Sequence, residues 1–237
     1  MRKNVIVLLV GAILLAGCDP KGLSPEEAQP VENAPSPNQN ISTSNKSKTE
    51  QQLLPAADGP FGLQMGLTKK NIEDMIGQAL KPTEYTNVYL VDRLPKTNDS
   101  FENYGLLISP TLGLCKINAI GKDIENDTYG ISLRVKFDDL KTSLDSIYGE
   151  SKKTDLLLPG SIWNEPRDWM RGLNKEERVL YAVWDSKSGA LQKSNIEYLL
   201  LKAKASDSSS GHLLLQYEFK NHVKCADEIN NAKKDSL

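Results

Sequence analysis

The stretch SIWNEPRDWMRGL, residues 161–173, carries the densest set of side chains able to do chemistry. Two indoles, Trp163 and Trp169, stand close to Glu165, Arg167, Asp168 and Arg171. Tryptophan and arginine anchor protein interfaces, and a flat indole beside polar groups can stack on a sugar ring. Trp163, Arg167 and Trp169 are therefore candidate binding residues. The competing reading places both tryptophans in the core, with the charges capping a short helix.

Other catalytic patterns are sparse. The two histidines are His212, after the turn-like Ser208-Ser209-Ser210-Gly211, and His222. Catalytic groups meet in space rather than in sequence, so a Ser–His pair is conceivable. No G-x-S-x-G elbow accompanies it. No H-E-x-x-H, paired C-x-x-C or phosphate-binding glycine loop occurs. The acidic run 123–127 lacks the glycine and terminal glutamate of a calcium loop and reads as a solvated turn. The carboxylate pairs Asp138-Asp139 and Glu176-Glu177 fall near predicted element starts or turns, where acids favour a helix dipole or water. No enzyme activity, cofactor or metal is expected from these residues.

The three cysteines divide into two kinds. Cys115 and Cys225 lie in the aromatic-rich part of the chain. In an oxidising compartment they permit a single pairing, which would close a loop of about 110 residues. The alternative is two separate buried thiols. Cys18 instead follows a positive start, Arg2 and Lys3, and an apolar run over 5–16. That run is too short to cross a bilayer, which takes roughly 20 residues. Charge, length and small residues describe a secretory signal.

Leu15-Ala16-Gly17-Cys18 resembles the lipobox of bacterial lipoproteins. The resemblance implies cleavage before Cys18, a diacylglycerol on its sulfur and an acylated amino group. The partner on that side is then a lipid bilayer, since several acyl chains hold far better than one. Asp19 is similar to the inner-membrane retention signal of enterobacterial lipoproteins, so the expected location is the inner membrane, facing the periplasm.

Three segments follow: a signal peptide over 1–17, a lipidated cysteine with its tether over 18–58, and a folded domain over 59–237. Six of the twelve prolines fall in the tether, with many Ser, Asn and Gln and no aromatic residue. Such a segment cannot bury enough apolar surface to offset ordering entropy. About 40 residues span on the order of 35 Å as a flexible coil, and up to about 120 Å extended. Losing Arg2 and Lys3 with the signal takes the net charge from −2 to −4. Nothing in that balance points to nucleic acid, which would call for a clustered basic face.

The elements that must position these residues follow from periodicity. Thr68 suits the cap of a short helix closed by Gly77, with Ile72, Met75 and Ile76 on one face. Strands are expected over 86–94, 104–109 and 114–121. Ile131, Leu133 and Val135 alternate with polar residues, predicting a fourth strand over 129–136. Phe137, Leu140, Leu144, Ile147 and Tyr148 then share a helical face. Pro166 opens a short helix carrying Trp169, Met170 and Leu173. Strands over 178–184, 195–205 and 212–220 precede a last helix over 223–234, with Cys225, Ile229 and Ala232 inward. The expected fold is α+β, mostly antiparallel sheet with short flanking helices, arranged as a degenerate duplication of helix plus meander.

This organisation points to a tethered periplasmic module that binds an envelope or foreign protein, as an accessory subunit or as an inhibitor or immunity factor. The rival expectation is a peptidoglycan-binding or cell-wall-modifying protein working through Trp163, Arg167 and Trp169.

Overall fold

The computed structural model describes residues 55–185 and 189–234, so the lipobox and most of the tether lie outside the described residues. Thr68 opens the first helix by a reciprocal cap. Its hydroxyl oxygen accepts from the Asn71 amide, and the Asn71 side chain accepts from the Thr68 amide. Helix α1 (Lys69–Ile76) ends at Gly77, whose φ of 71° is the left-handed geometry glycine adopts freely.

Four strands follow in a meander: β1 (Lys81–Pro82), β2 (Val88–Val91), β3 (Phe101–Ser109) and β4 (Gly113–Gly121). The second half runs α2 (Ile131–Tyr148), β5 (Lys152–Leu157), α3 (Trp169–Asn174), β6 (Arg178–Asp185), β7 (Ile196–Ala205), β8 (Gly211–Phe219) and α4 (His222–Lys234). All eight strands form one antiparallel sheet in the order β1-β2-β3-β4-β8-β7-β6-β5. The α+β class is therefore as expected. Each half is a helix followed by four strands, and the last strands of the halves pair across the middle. That is the arrangement a duplicated helix-plus-meander unit would give. Helix α3, inserted between β5 and β6, and the terminal α4 depart from the symmetry.

The core lies on one face of the sheet. Tyr104, Leu106, Ile117, Ala119, Leu215, Tyr217, Leu199, Leu201, Ala182 and Trp184 are buried there, beneath Ile72 of α1, Leu133 and Phe137 of α2, and Met170 of α3. Helix α4 stands apart. A Cys115–Cys225 disulfide joins it to β4 across a sequence separation of 110. Ser109 and Thr111, at the β3–β4 hairpin, donate to the Glu228 carboxylate, and the Asn221 amide donates to the carbonyls of Leu112 and Leu114.

Three expectations need correction. The predicted strand over 129–136 is the start of α2. Asp127 accepts from the Ser132 and Leu133 amides at 3.1 and 2.8 Å, capping the helix. Leu133, Phe137 and Leu144 are buried at helical spacing, while Ile131 and Val135 are 57% and 58% exposed. Three alternating residues fit either period, and the cap decides. The acidic run is not simply solvated, because Asp127 is buried in that role. Ile147, expected inward, is 60% exposed. Asp127→Ala should cost about 1–2 kcal/mol, read by chemical denaturation.

Asp145 holds α2 to the sheet. It accepts from the buried Trp184 indole at 3.1 Å and the Ser151 amide at 3.0 Å, and pairs with Lys141 at 2.6 Å. Burial pushes its carboxyl up, but the hydrogen bonds from Lys141 and Ser151 outweigh burial and hold it below 3.8. A carboxyl depressed by folding stabilises above its unfolded pKa and loses that contribution as pH falls through the folded one. Thermal melting should therefore fall more steeply below about pH 4 in the native chain than in Asp145→Asn.

Candidate functional site

A tight turn over Pro166–Asp168 runs directly into α3 and sets Trp169 inward. Trp169 is 5% exposed. The Met170 amide donates to the Thr128 carbonyl at 3.1 Å, tying α3 to the segment before α2. Gly130 makes the approach possible. Its φ is +63°, and a Cβ there would come within 1.9 Å of the Trp169 ring. Trp169 is thus packed against the start of α2. Trp163 is half-buried with the Arg171 guanidinium 5.1 Å from its ring centroid, and the exposed Arg167 pairs with Glu165 at 2.9 Å.

The fold adds two residues that linear spacing does not reveal. The Arg134 and Arg178 guanidinium carbons lie 5.4 and 5.6 Å from the Trp169 ring centroid. Both arginines line a cavity of about 380 Å³ together with Tyr129, Ile131, Asp155, Glu165 and Trp169. Neither has a neighbour in sequence that marks it. Only the packing of β6 and α2 around α3 brings them together.

Ser206, His212 and Asp123 also meet, at the β7–β8 turn. The Ser206 hydroxyl donates to Asp123 Oδ1 at 2.6 Å, and His212 Nδ1 lies 3.0 Å from that oxygen and 3.2 Å from Ser206 Oγ. The Ser206 hydroxyl, followed by His212, holds the Asp123 carboxyl below 3.8. A catalytic relay places the carboxylate on Nδ1 and the hydroxyl on Nε2. Here serine and aspartate share Nδ1 and bond each other, so the geometry is a turn clasp without a relay. Among the described residues, no group of three or more His, Cys, Asp or Glu is placed to hold a metal.

A further candidate is the second face of the sheet. The strand registers set out three rows on it. Leu107, Lys116, Glu218, Tyr198 and Asp185 form one, and Asn118, Gln216, Leu200, Val183 and Lys152 another. The third is Ile120, Leu214, Lys202, Tyr181 and Thr154. Leu107, Ile120, Leu200, Leu214 and Val183 are partly buried and stand outside the core cluster. Helix α4 meets this face at one corner, through Glu228 with Ser109 and through His222, 3.5 Å from Glu218. Burial lowers the His222 pKa below 6.5, with the Glu218 carboxylate opposing the shift.

Charge on the face is uneven. Lys116 pairs with Glu218 at 3.0 Å and Lys152 with Asp185 at 3.2 Å. Lys202 and Lys204 have no ion-pair partner among the described residues, so the face is net positive on a chain of net charge −2. Sequence alternation marked these strands, but which of their two faces stays open depends on where the helices land. No family model matches the chain, and neither a curated protein nor a solved structure does.

Proposed function

We propose that this chain is a bacterial lipoprotein anchored through Cys18 in the inner membrane, and that its periplasmic domain binds a second protein across the uncovered sheet face. The observation that carries the reading is the set of aliphatic and tyrosine side chains on that face, outside the core. An antiparallel sheet with one solvated side ordinarily alternates apolar inward and polar outward. Here Leu107, Ile120, Val183, Leu200 and Leu214, with Tyr181 and Tyr198, occupy seven of the fifteen outward positions in the three rows, among polar and charged residues. Apolar side chains that stand outside the core on a sheet face with little helix cover are where a partner would gain by burying them.

The unpaired Lys202 and Lys204 favour an acidic partner, and complementary charge governs encounter and register more than raw affinity. A tether of about 40 residues lets the domain reach a partner on the order of 35 Å from the lipid. The partner is then an envelope complex that the protein assists, or a foreign protein that it blocks. The buried position of Trp169 removes one of the two indoles a glycan-stacking surface would use.

Two experiments test this reading. Cys18→Ser should move the protein from the membrane pellet to the soluble periplasmic fraction, and continued pelleting would remove the anchor. The double variant Lys202→Glu, Lys204→Glu should lose at least about tenfold in affinity for a captured partner while its melting temperature stays unchanged. Unchanged capture would remove the sheet face from the account.

A further inference from the structure

The guanidinium groups of Arg134 and Arg178 approach one indole, Trp169, and all three line the cavity of about 380 Å³. Two cations gathered on one ring repel unless anions balance them. Asp155 balances Arg178 at 3.2 Å, and the other lining carboxylate, Glu165, pairs with Arg167 at 2.9 Å. Arg134 has no carboxylate partner among the described residues. Its Nε and one η nitrogen donate to the carbonyls of Gly130 and Tyr129 at 3.1 and 3.4 Å. An arginine offers five N–H groups, so donors are left over. Trp169 Nε1 and Arg178 Nε are shielded from solvent and have no acceptor. Both of those atoms are closed to solvent, so the donors open to a ligand are chiefly those left on Arg134, the one lining cation without a carboxylate partner.

A carboxylate suits that guanidinium. A single arginine without an ion-pair partner matches a monoanion, and its planar fork suits two carboxylate oxygens. A phosphate dianion would add charge opposite Asp155 and Glu165. Tyr129 and Ile131, both more than half exposed, border the same cavity and offer apolar contact to the residue bearing the carboxylate. The volume lies at the lower end of the range for small-ligand sites. We propose that this cavity binds a peptide carboxylate, from a chain end or an acidic side chain, with Arg134 as its principal ligand. Arg178 shares the core side of β6 with Leu180, so the site is separate from the uncovered sheet face and stands independently of it.

The test uses the full-length chain in detergent and follows the Trp169 indole N–H resonance. The probes are N-acetyl-alanyl-leucine, its C-terminal amide, the α-amide of N-acetylglutamate, and inorganic phosphate. The free acid is expected to bind saturably and shift the resonance, with the C-terminal amide at least about tenfold weaker, because a charge-assisted hydrogen bond is lost. Arg134→Gln should abolish the acid's advantage over the amide. If the glutamate derivative binds more tightly than the free acid, the carboxylate comes from a side chain; if much weaker, from a chain end; equal binding means the cavity takes either. Each result supports a carboxylate site. Equal binding of acid and amide would overturn the proposal. So would phosphate binding as tightly as the acid, or no saturable shift up to about 10 mM, well above a millimolar dissociation constant. The comparison of acid with amide on the unaltered chain decides the matter even if the variant fails to fold.

Discussion

Trp169→Ala is expected to destabilise the domain by about 3–5 kcal/mol, the range for deleting a buried tryptophan. The indole is 5% exposed and packs directly over Gly130, so its removal leaves a void between α3 and the start of α2. The variant also removes the ring that Arg134 and Arg178 approach, leaving two guanidinium groups without their aromatic partner. For a domain of this size the melting temperature should drop by roughly 8–15 °C. Gly130→Ala should act in the same direction, because its Cβ would overlap the indole and its positive φ disfavours a side chain. A stable Trp169→Ala protein would show instead that the indole contributes little to the core and is available to a ligand.

Removing the disulfide is the second large effect. Cys115–Cys225 constrains a separation of 110 residues, for which the chain-entropy relation gives about 4–5 kcal/mol. Replacing both cysteines with serine should lower the melting temperature by roughly 10–15 °C. The hydrogen bonds of Glu228 and Asn221 to the β3–β4 hairpin remain in that variant. Helix α4 should therefore loosen at its far end first, read as faster amide exchange beyond Glu228 than before it. Uniform exchange along α4 would show that the disulfide alone holds it.

Much of this architecture was legible in local chemistry. Thr68 and Gly77 mark α1 at both ends, because capping is a contact between near neighbours. Leu213, Leu215, Tyr217 and Phe219 alternate without interruption, and β8 follows. Strand β5 carries no alternating signal, since Lys152-Lys153-Thr154-Asp155 is polar on both sides, as an edge strand tolerates. The start of α2 was misread because its cap, Asp127, lies four residues before the helix and acts through its carboxylate.

The candidate sites were less legible. Trp163, Arg167 and Trp169 stood out by composition, yet their roles depend on Gly130, Arg134 and Arg178, which packing alone supplies. The uncovered face depends on helices α1, α2 and α3 all landing on the other side. Alternation along a strand defines two faces but not which one a helix covers.

The most direct test of protein binding across that face is a map of photo-crosslinks in intact cells. A photoreactive residue would replace, one at a time, Leu107, Leu200 and Tyr181 on the open face, and Thr142 and Ile147 on α2. The account predicts one common adduct from the three sheet positions, none from the two helix positions, and its loss in the Lys202→Glu, Lys204→Glu chain. Adducts from the helix positions alone, or the same adduct from both sets, would contradict it.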